Sequence, residues 1–488
     1  MIFPLLKADL FASQVSEVFM EKEQVRQNEM ATGKIPTVLL KMALPMMFSM
    51  VVSALYNIID SIFIGMIEAP FNEKAITALG YAFPLQMLLV AVAIGTGIGV
   101  NAILSKALGQ GKKDEAAKSC AMGYALMIVF YLVFLIFGLL LFFTDFYFSS
   151  VTNDEVVIQM GSSYLGVCFI FSFGQLLQLV SERALCATGK TQLAMIMQLA
   201  GAITNIALDP LFILVFNMGV NGAAIATIVG QMVSMIVGFL LNLYANKEFT
   251  IRKEHFQIDF PMIKGILRVG IPAIFLQALQ SLQSLVFQLV FMSLFSSNQG
   301  MQDMLVGVYG VYYKLQNFVF MAFYGLNNSM LTMVAFNYGD KDEKRCEKTA
   351  MYGYLYCLIL ALIGIAIFEA IPEQLLVLFN LGEEWISTGV TLARISAPTF
   401  ILSAICIISI GLLQGLGSGF HPLLISLLRL LLILFPACHL FGFYFGVDAI
   451  WWGSYIAEGV AAIYGVLVLL RVFKKAFKKQ KLVSTIDE

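Results

Sequence analysis

Twelve mostly apolar stretches alternate with short polar joints along the chain, each about as long as the roughly 20 residues a helix needs to cross a bilayer. The first six are Met42–Met66, Leu79–Leu104, Ala121–Phe143, Val157–Val180, Leu193–Phe216 and Gly222–Tyr244. A polar link, Ala245–Ile263, separates them from Ile266–Phe295, Leu305–Phe336, Met351–Ile371, Ile386–Leu412, Leu423–Phe445 and Ala449–Leu470. The pattern predicts an all-α integral membrane protein. Its parts are an N-terminal tail (1–34), a six-span half (35–245), a linker (246–264), a second six-span half (265–472) and a basic C-terminal tail (473–488).

The polar joints are one-sided in charge. Of the 30 Lys and Arg residues, 26 lie on the two tails, the linker and its flanks, and the joints after even-numbered spans. Lys74 alone lies on the opposite side, and Lys314, Arg394 and Arg429 fall within spans. Such a bias predicts both termini in the cytoplasm, in a bacterial-type inner membrane. The first 34 residues lack a signal-peptide pattern and read as a cytoplasmic tail lying along the membrane, with translation starting at Met1 or Met30. The pairs Lys474-Lys475 and Lys478-Lys479, beside a membrane exit, suit anionic lipid or topology anchoring; no nucleic-acid partner is expected.

Composition narrows the class. Only 12% of residues are charged, about half the share of a soluble protein, and mean hydropathy is +0.85, so the large surface faces lipid. Seven scattered cysteines without C-x-x-C and three distant histidines (His255, His421, His439) predict neither a disulfide framework nor a zinc site. No H-E-x-x-H, G-x-S-x-G or Walker sequence is present, which argues against a membrane enzyme and an ATP-driven pump. No cofactor is expected.

The two halves repeat. Lys41-Met-Ala-Leu-Pro45 matches Arg268-Val-Gly-Ile-Pro272, and Gly111-Lys-Lys-Asp-Glu115 matches Gly339-Asp-Lys-Asp-Glu343, at offsets of 227 and 228. Gly189 matches Gly417, and Gly219-Val220-Asn221 matches Gly446-Val447-Asp448. An even number of spans per half makes the repeats parallel, with a substrate path between them. The repeat also acts as an internal control on acidic residues. Asp60 aligns with Phe287, Asn205 with Leu431, Asp209 with Phe435 and Glu182 with Ile410, so the ionisable site is expected in the first half alone.

Asp209 is the only charge between Leu193 and Phe216. A charged aspartate at the centre of a bilayer costs roughly 2.5 to 3.5 kcal/mol even on the insertion scale, so it normally faces a cavity and a partner. Asn205, four residues earlier, shares its helix face, and Pro210 follows at once. At 1.5 Å per residue, Asp60 lies about 27 Å above Met42 and Asp209 about 24 Å above Leu193. Tyr164 and Thr227 lie about 8 to 11 Å below the opposite surface, at a similar level near Asn205. Glu182 falls instead near the cytoplasmic end of its span beside Arg183, where an interfacial ion pair and a transport role are both open.

These residues resemble the multidrug and toxic compound extrusion (MATE) family over roughly residues 35 to 470. The resemblance is carried by Pro45, Tyr56-Asn-Ile-Ile-Asp60-Ser-Ile-Phe-Ile-Gly65, the Gly-x-Lys-Asp-Glu loops, Asn205-x-x-x-Asp209-Pro210, Gly219-Val-Asn-Gly-Ala-Ala-Ile-Ala-Thr227 and Gly325-Leu-Asn327-Asn328. It implies a V-shaped, two-lobe transporter of twelve helices that exports cationic or amphipathic compounds in exchange for Na+ or H+. By the same likeness Asp60, Asn205, Asp209 and Thr227 form the cation site, the residues that would hold Na+, with Tyr164 as a further polar group. Glu182 would be a proton-sensitive addition where a carboxamide is common. Pro45 would be the bend point of the first helix, and Gln280, Asn327 and Asn328 would line the substrate cavity. Gln280 stands where the NorM-type branch has a glutamate, and Cys186 replaces a family arginine, so the chain resembles the MepA- or DinF-like branch more. An exporter or flippase of an endogenous metabolite or lipid-linked substrate is the alternative. A monomer is expected, and Na+ or H+ coupling is left open.

Overall fold

The computed structural model describes residues 28–65, 71–377, 379 and 382–486. The first 27 residues, and with them most of the expected membrane-surface tail, lie outside the described residues. Among those described there is no strand, and ten helices are long and apolar enough to cross a bilayer. Two bent helix pairs bring the number of spans to twelve. The order is that of the hydropathy pattern, with six spans in each of two lobes.

Several spans outrun the membrane. The eighth, in the helix Gln299–Gly339 of 41 residues, is about 60 Å long against a hydrocarbon core of roughly 30 Å, so it extends beyond the lipid. The fourth and tenth spans are bent where continuous helices were expected. Glu155–Ile170 meets Phe173–Ala187 at 46°, and Glu383–Ser396 meets Thr399–Gly415 at 55°. In the tenth, Pro398 removes a backbone donor and disfavours helix at the residue before it. The fifth span changes pitch directly after Pro210. The chain winds into a π-turn over Leu211–Val215, and the N–H of Phe216 reaches the carbonyl of Leu211 at 2.9 Å. Pro45 lies well inside the helix Ile35–Gly65, whose first turn already holds Pro36, so it is not a helix-start proline.

The lobes meet at the end that carries the basic loops. There the second span crosses the eighth with glycine on each side. A Cβ on Gly109 would run into the carbonyl oxygen of Phe336, and one on Gly339 into that of Lys106, so only glycine permits this backbone contact. Deeper in, Asn101 Nδ2 lies 3.0 Å from Thr332 Oγ1, both buried, bonding one lobe to the other. The short helix Glu29–Thr32 straps across the same end. Its carbonyls at Met30 and Gly33 accept from Arg345 Nη2 at 2.8 and 3.0 Å, while the buried Met30 side chain packs beside Gly189 of the first lobe. The linker is tied down too. Asp259 caps the helix Phe260–Leu294 through Met262 N–H and pairs with Lys118 at 2.6 Å, which holds its carboxyl below the ordinary range.

If glycine contact seals this end, Gly109→Val should part the lobes there, at a cost of about 1 to 3 kcal/mol for the overpacking. Spin labels on Lys112→Cys and Lys341→Cys, both exposed, should report a longer distance, with a lower melting temperature. Unchanged distance and melting would reject the seal.

Candidate cation site

In the first lobe the fifth and sixth spans approach closely because each offers a glycine. A Cβ on Gly201 would meet the carbonyl oxygen of Gly230 at 2.8 Å, and one on Gly230 that of Gly201 at 2.7 Å. This contact brings Asn205, one turn after Gly201, against Thr227, one turn before Gly230. Asn205 Nδ2 donates to Asp209 Oδ1 at 3.2 Å and lies 3.4 Å from Thr227 Oγ1. Asp209 is fully buried and Asn205 is 3% exposed. The side-chain oxygen of Asn205, Oδ1, is buried without a hydrogen-bond partner. It therefore has a lone pair to offer a cation or a proton donor, and burying it unpaired costs about 1 to 3 kcal/mol.

A cavity of about 30 Å³ opens beside these groups, lined by Gln178, Gln198, Asn205, Thr227, Gln231 and Ser234 among others. That is room for water or a small ion rather than a drug. The oxygens of Asn205, Asp209 and Thr227 are the hard donors that suit Na+. Tyr164 is also buried, and its hydroxyl accepts from Gln86 Nε2 at 3.3 Å. Asp60 lies on the helix Ile35–Gly65, but its side chain falls outside the described residues.

Glu182 pairs with Arg183 and is buried inside the bundle. Its helix runs on to Ala187 and the surrounding bundle buries it to 4% exposure. Gln198 Nε2 donates to Glu182 Oε2 at 2.6 Å, whereas Arg183 Nη2 stands 3.8 Å from the other oxygen. Because Gln198 also lines the cavity, Glu182 is one hydrogen bond away from the site. Gln280, Asn327 and Asn328 do not line the cavity at Asn205. Gln280 is half-buried, and Asn327 is wedged against Gly411 inside its own lobe.

The ionisable site is expected in the first half alone, and the second half also buries an ionisable pair. Glu458 of the twelfth span and Arg429 of the eleventh form a buried pair, with Arg429 Nε and Nη2 both donating to Glu458 Oε1, at 3.0 and 2.6 Å. Comparing first-half acids with their second-half partners could not reveal it. The signal lay in the reverse comparison, since both residues are charges within spans.

The MatE family model matches residues 45–211 and again 272–440, two segments whose starts are 227 residues apart. The chain belongs to the MatE family. Among relatives, Multidrug export protein MepA of Staphylococcus aureus (strain MRSA252) is 22% identical over 427 residues, covering 88% of this chain and 92% of that protein. MepA of Staphylococcus haemolyticus (strain JCSC1435) is 23% identical over the same share of this chain and 91% of its own. Among solved structures, one described as the outward-facing conformation of a multidrug resistance MATE family transporter has a TM-score of 0.85 at 23% identity, covering 92% of this chain and 98% of that one. A MATE in the bent conformation has a TM-score of 0.83 at 22% identity, covering 94% and 98%. These neighbours share the two-lobe MATE fold, and the chain is a multi-pass membrane protein of a multidrug export family.

Within this MATE fold, Glu182→Ala should take the acceptor from Gln198 and the counter-charge from the buried Arg183, and cost about 1 to 3 kcal/mol. Glu182→Gln, which keeps an acceptor for Gln198, should cost clearly less. Melting temperatures in one detergent compare the two; equal losses would mean that the bond carries no weight.

Proposed function

We propose that this MATE-family chain is a cation-coupled antiporter that exports cationic or amphipathic compounds by alternating access, with Asp209 at the coupling site. The observation that carries the reading is a fully buried carboxylate hydrogen-bonded to Asn205 beside a small polar cavity. In a site shielded from bulk water, an ionised carboxylate needs a compensating charge. A proton, a sodium ion or a cationic guest supplies it, and guests that compete for one charge have linked fluxes. Asn205 and Thr227 would contribute oxygen ligands if the ion is Na+, and Asp60 and Tyr164 complete the set by family likeness.

The basic-loop end is taken as cytoplasmic, in a plasma membrane of bacterial type, with both termini on that side. The glycine seal then closes the cytoplasmic mouth. Pro45 weakens the first helix near the seal by removing a backbone bond, which supports a bend there. Relatives named for multidrug export favour a drug-like guest over an endogenous one. The transporter is taken to work as a monomer.

The test is uptake of a fluorescent cation into inverted vesicles, driven by a sodium gradient in one arm and a proton gradient in the other. Asp209→Asn should lower gradient-driven uptake at least tenfold, and Asp60→Asn should do the same. Export by both variants at the parental rate would remove the coupling site from the first lobe.

A further inference from the structure

Lys314 stands inside the eighth span without a counter-charge. It follows Leu305, the outer end of the apolar stretch, by nine residues, about 14 Å of helix, which is too deep for its ammonium to snorkel out to that end. Its side chain is exposed, and among the described residues no carboxylate pairs with it. An unpaired ammonium against hydrocarbon is costly, so at this depth it faces a water-filled space.

Helix phase says which space. On Gln299–Gly339 the residues that touch the first lobe form one stripe, with Gly325 against Met47, Thr332 bonded to Asn101, Phe336 against Gly109 and Gly339 against Lys106. At about 100° per residue, Lys314 lies within about 40° of every one of them, and it is in phase with Thr332, about five turns away. It therefore points at the opposite lobe from about 27 Å outward of the Asn101–Thr332 bond. One turn farther out on the same face, a Cβ on Gly310 would meet nothing within 4 Å. The lobes that touch below have parted here, and Lys314 lines the cleft between them. Asn317, Phe318 and Met321, the next residues inward on this face, are half-buried.

We infer that Lys314 is a specificity residue of the cleft, selecting amphipathic guests that carry a carboxylate on an aromatic body. A cleft with low-dielectric walls strengthens the field of a lone ammonium, which draws an anionic group and disfavours a bare cation beside it. Phe318 and Met321 offer an aromatic face and a polarizable thioether to the body of the guest, and Asn317 a neutral polar contact. A guest that is cationic at its other end carries no net charge and leaves water at lower cost. The inference rests on the export reading only in taking the cleft as the substrate path.

The experiment is fluorescence anisotropy of the full chain in lipid nanodiscs, with no ion gradient, using two dyes that differ by one methyl group. Rhodamine 110 has a free benzoate; rhodamine 123 is its methyl ester, a cation. Rhodamine 110 should bind at least tenfold tighter. Lys314→Gln should weaken rhodamine 110 at least tenfold and leave the ester unchanged, Lys314→Arg should keep the preference, and Lys314→Glu should turn it toward the ester. Because Lys314 is exposed, all three variants should melt with the parent. No saturable rhodamine 110 binding by the parent, equal binding of the two dyes, or a preference that survives Lys314→Gln would each overturn the assignment. So would a preference lost in Asp209→Asn, which would move the carboxylate contact to the first lobe. Binding is read without a gradient, so a failure of ion-coupled export would leave this result standing, and failure here would leave coupling at Asp209 untouched.

Discussion

A charge held inside hydrocarbon must meet a partner, and the two lobes of this protein meet that constraint in different ways. In the first, the buried Asp209 accepts from the carboxamide of Asn205 beside a small polar cavity. In the second, Glu458 is balanced permanently by Arg429. The first arrangement suits a cation site. The second suits a site that ordinary cations do not enter. Both are built on spans that could be wholly apolar, and both cost stability that apolar residues would not.

Backbone approach makes the first arrangement workable. Gly201 and Gly230 let two spans touch, and that contact sets Asn205 beside Thr227. The same device recurs between the lobes, where Gly109 and Gly339 seat one span on another. Contacts of this kind gain van der Waals energy in a lipid environment that offers little hydrophobic drive for association. They are also shallow. A seal of glycine contacts, the Asn101–Thr332 bond and the Arg345 strap can open without unfolding either lobe, as alternating access would demand.

Much of this was legible in the sequence, because hydropathy marks spans and a repeat offset marks lobes. The Asn205, Asp209 and Thr227 cluster followed from helix periodicity and depth. What escaped was set by packing. The bend at Phe171 and Ser172 has no proline to announce it, and the π-turn after Pro210 depends on how the chain recovers its missing bond. Glu182 looked interfacial by its distance from the end of a hydrophobic run, yet the helix extends beyond that run and the neighbouring spans cover it. The Arg429–Glu458 pair was written in the sequence and missed because the comparison ran in one direction only.

Duplication explains how both charge arrangements fit on one architecture. Two copies of a six-span unit each hold a polar cavity, and the family match covers both copies. The acids Asp60 and Asp209 have Phe287 and Phe435 opposite them in the repeat, and the second lobe carries its charges at Arg429 and Glu458 instead. The fold thus constrains where a polar cavity forms, while a few residues decide what charge it accepts.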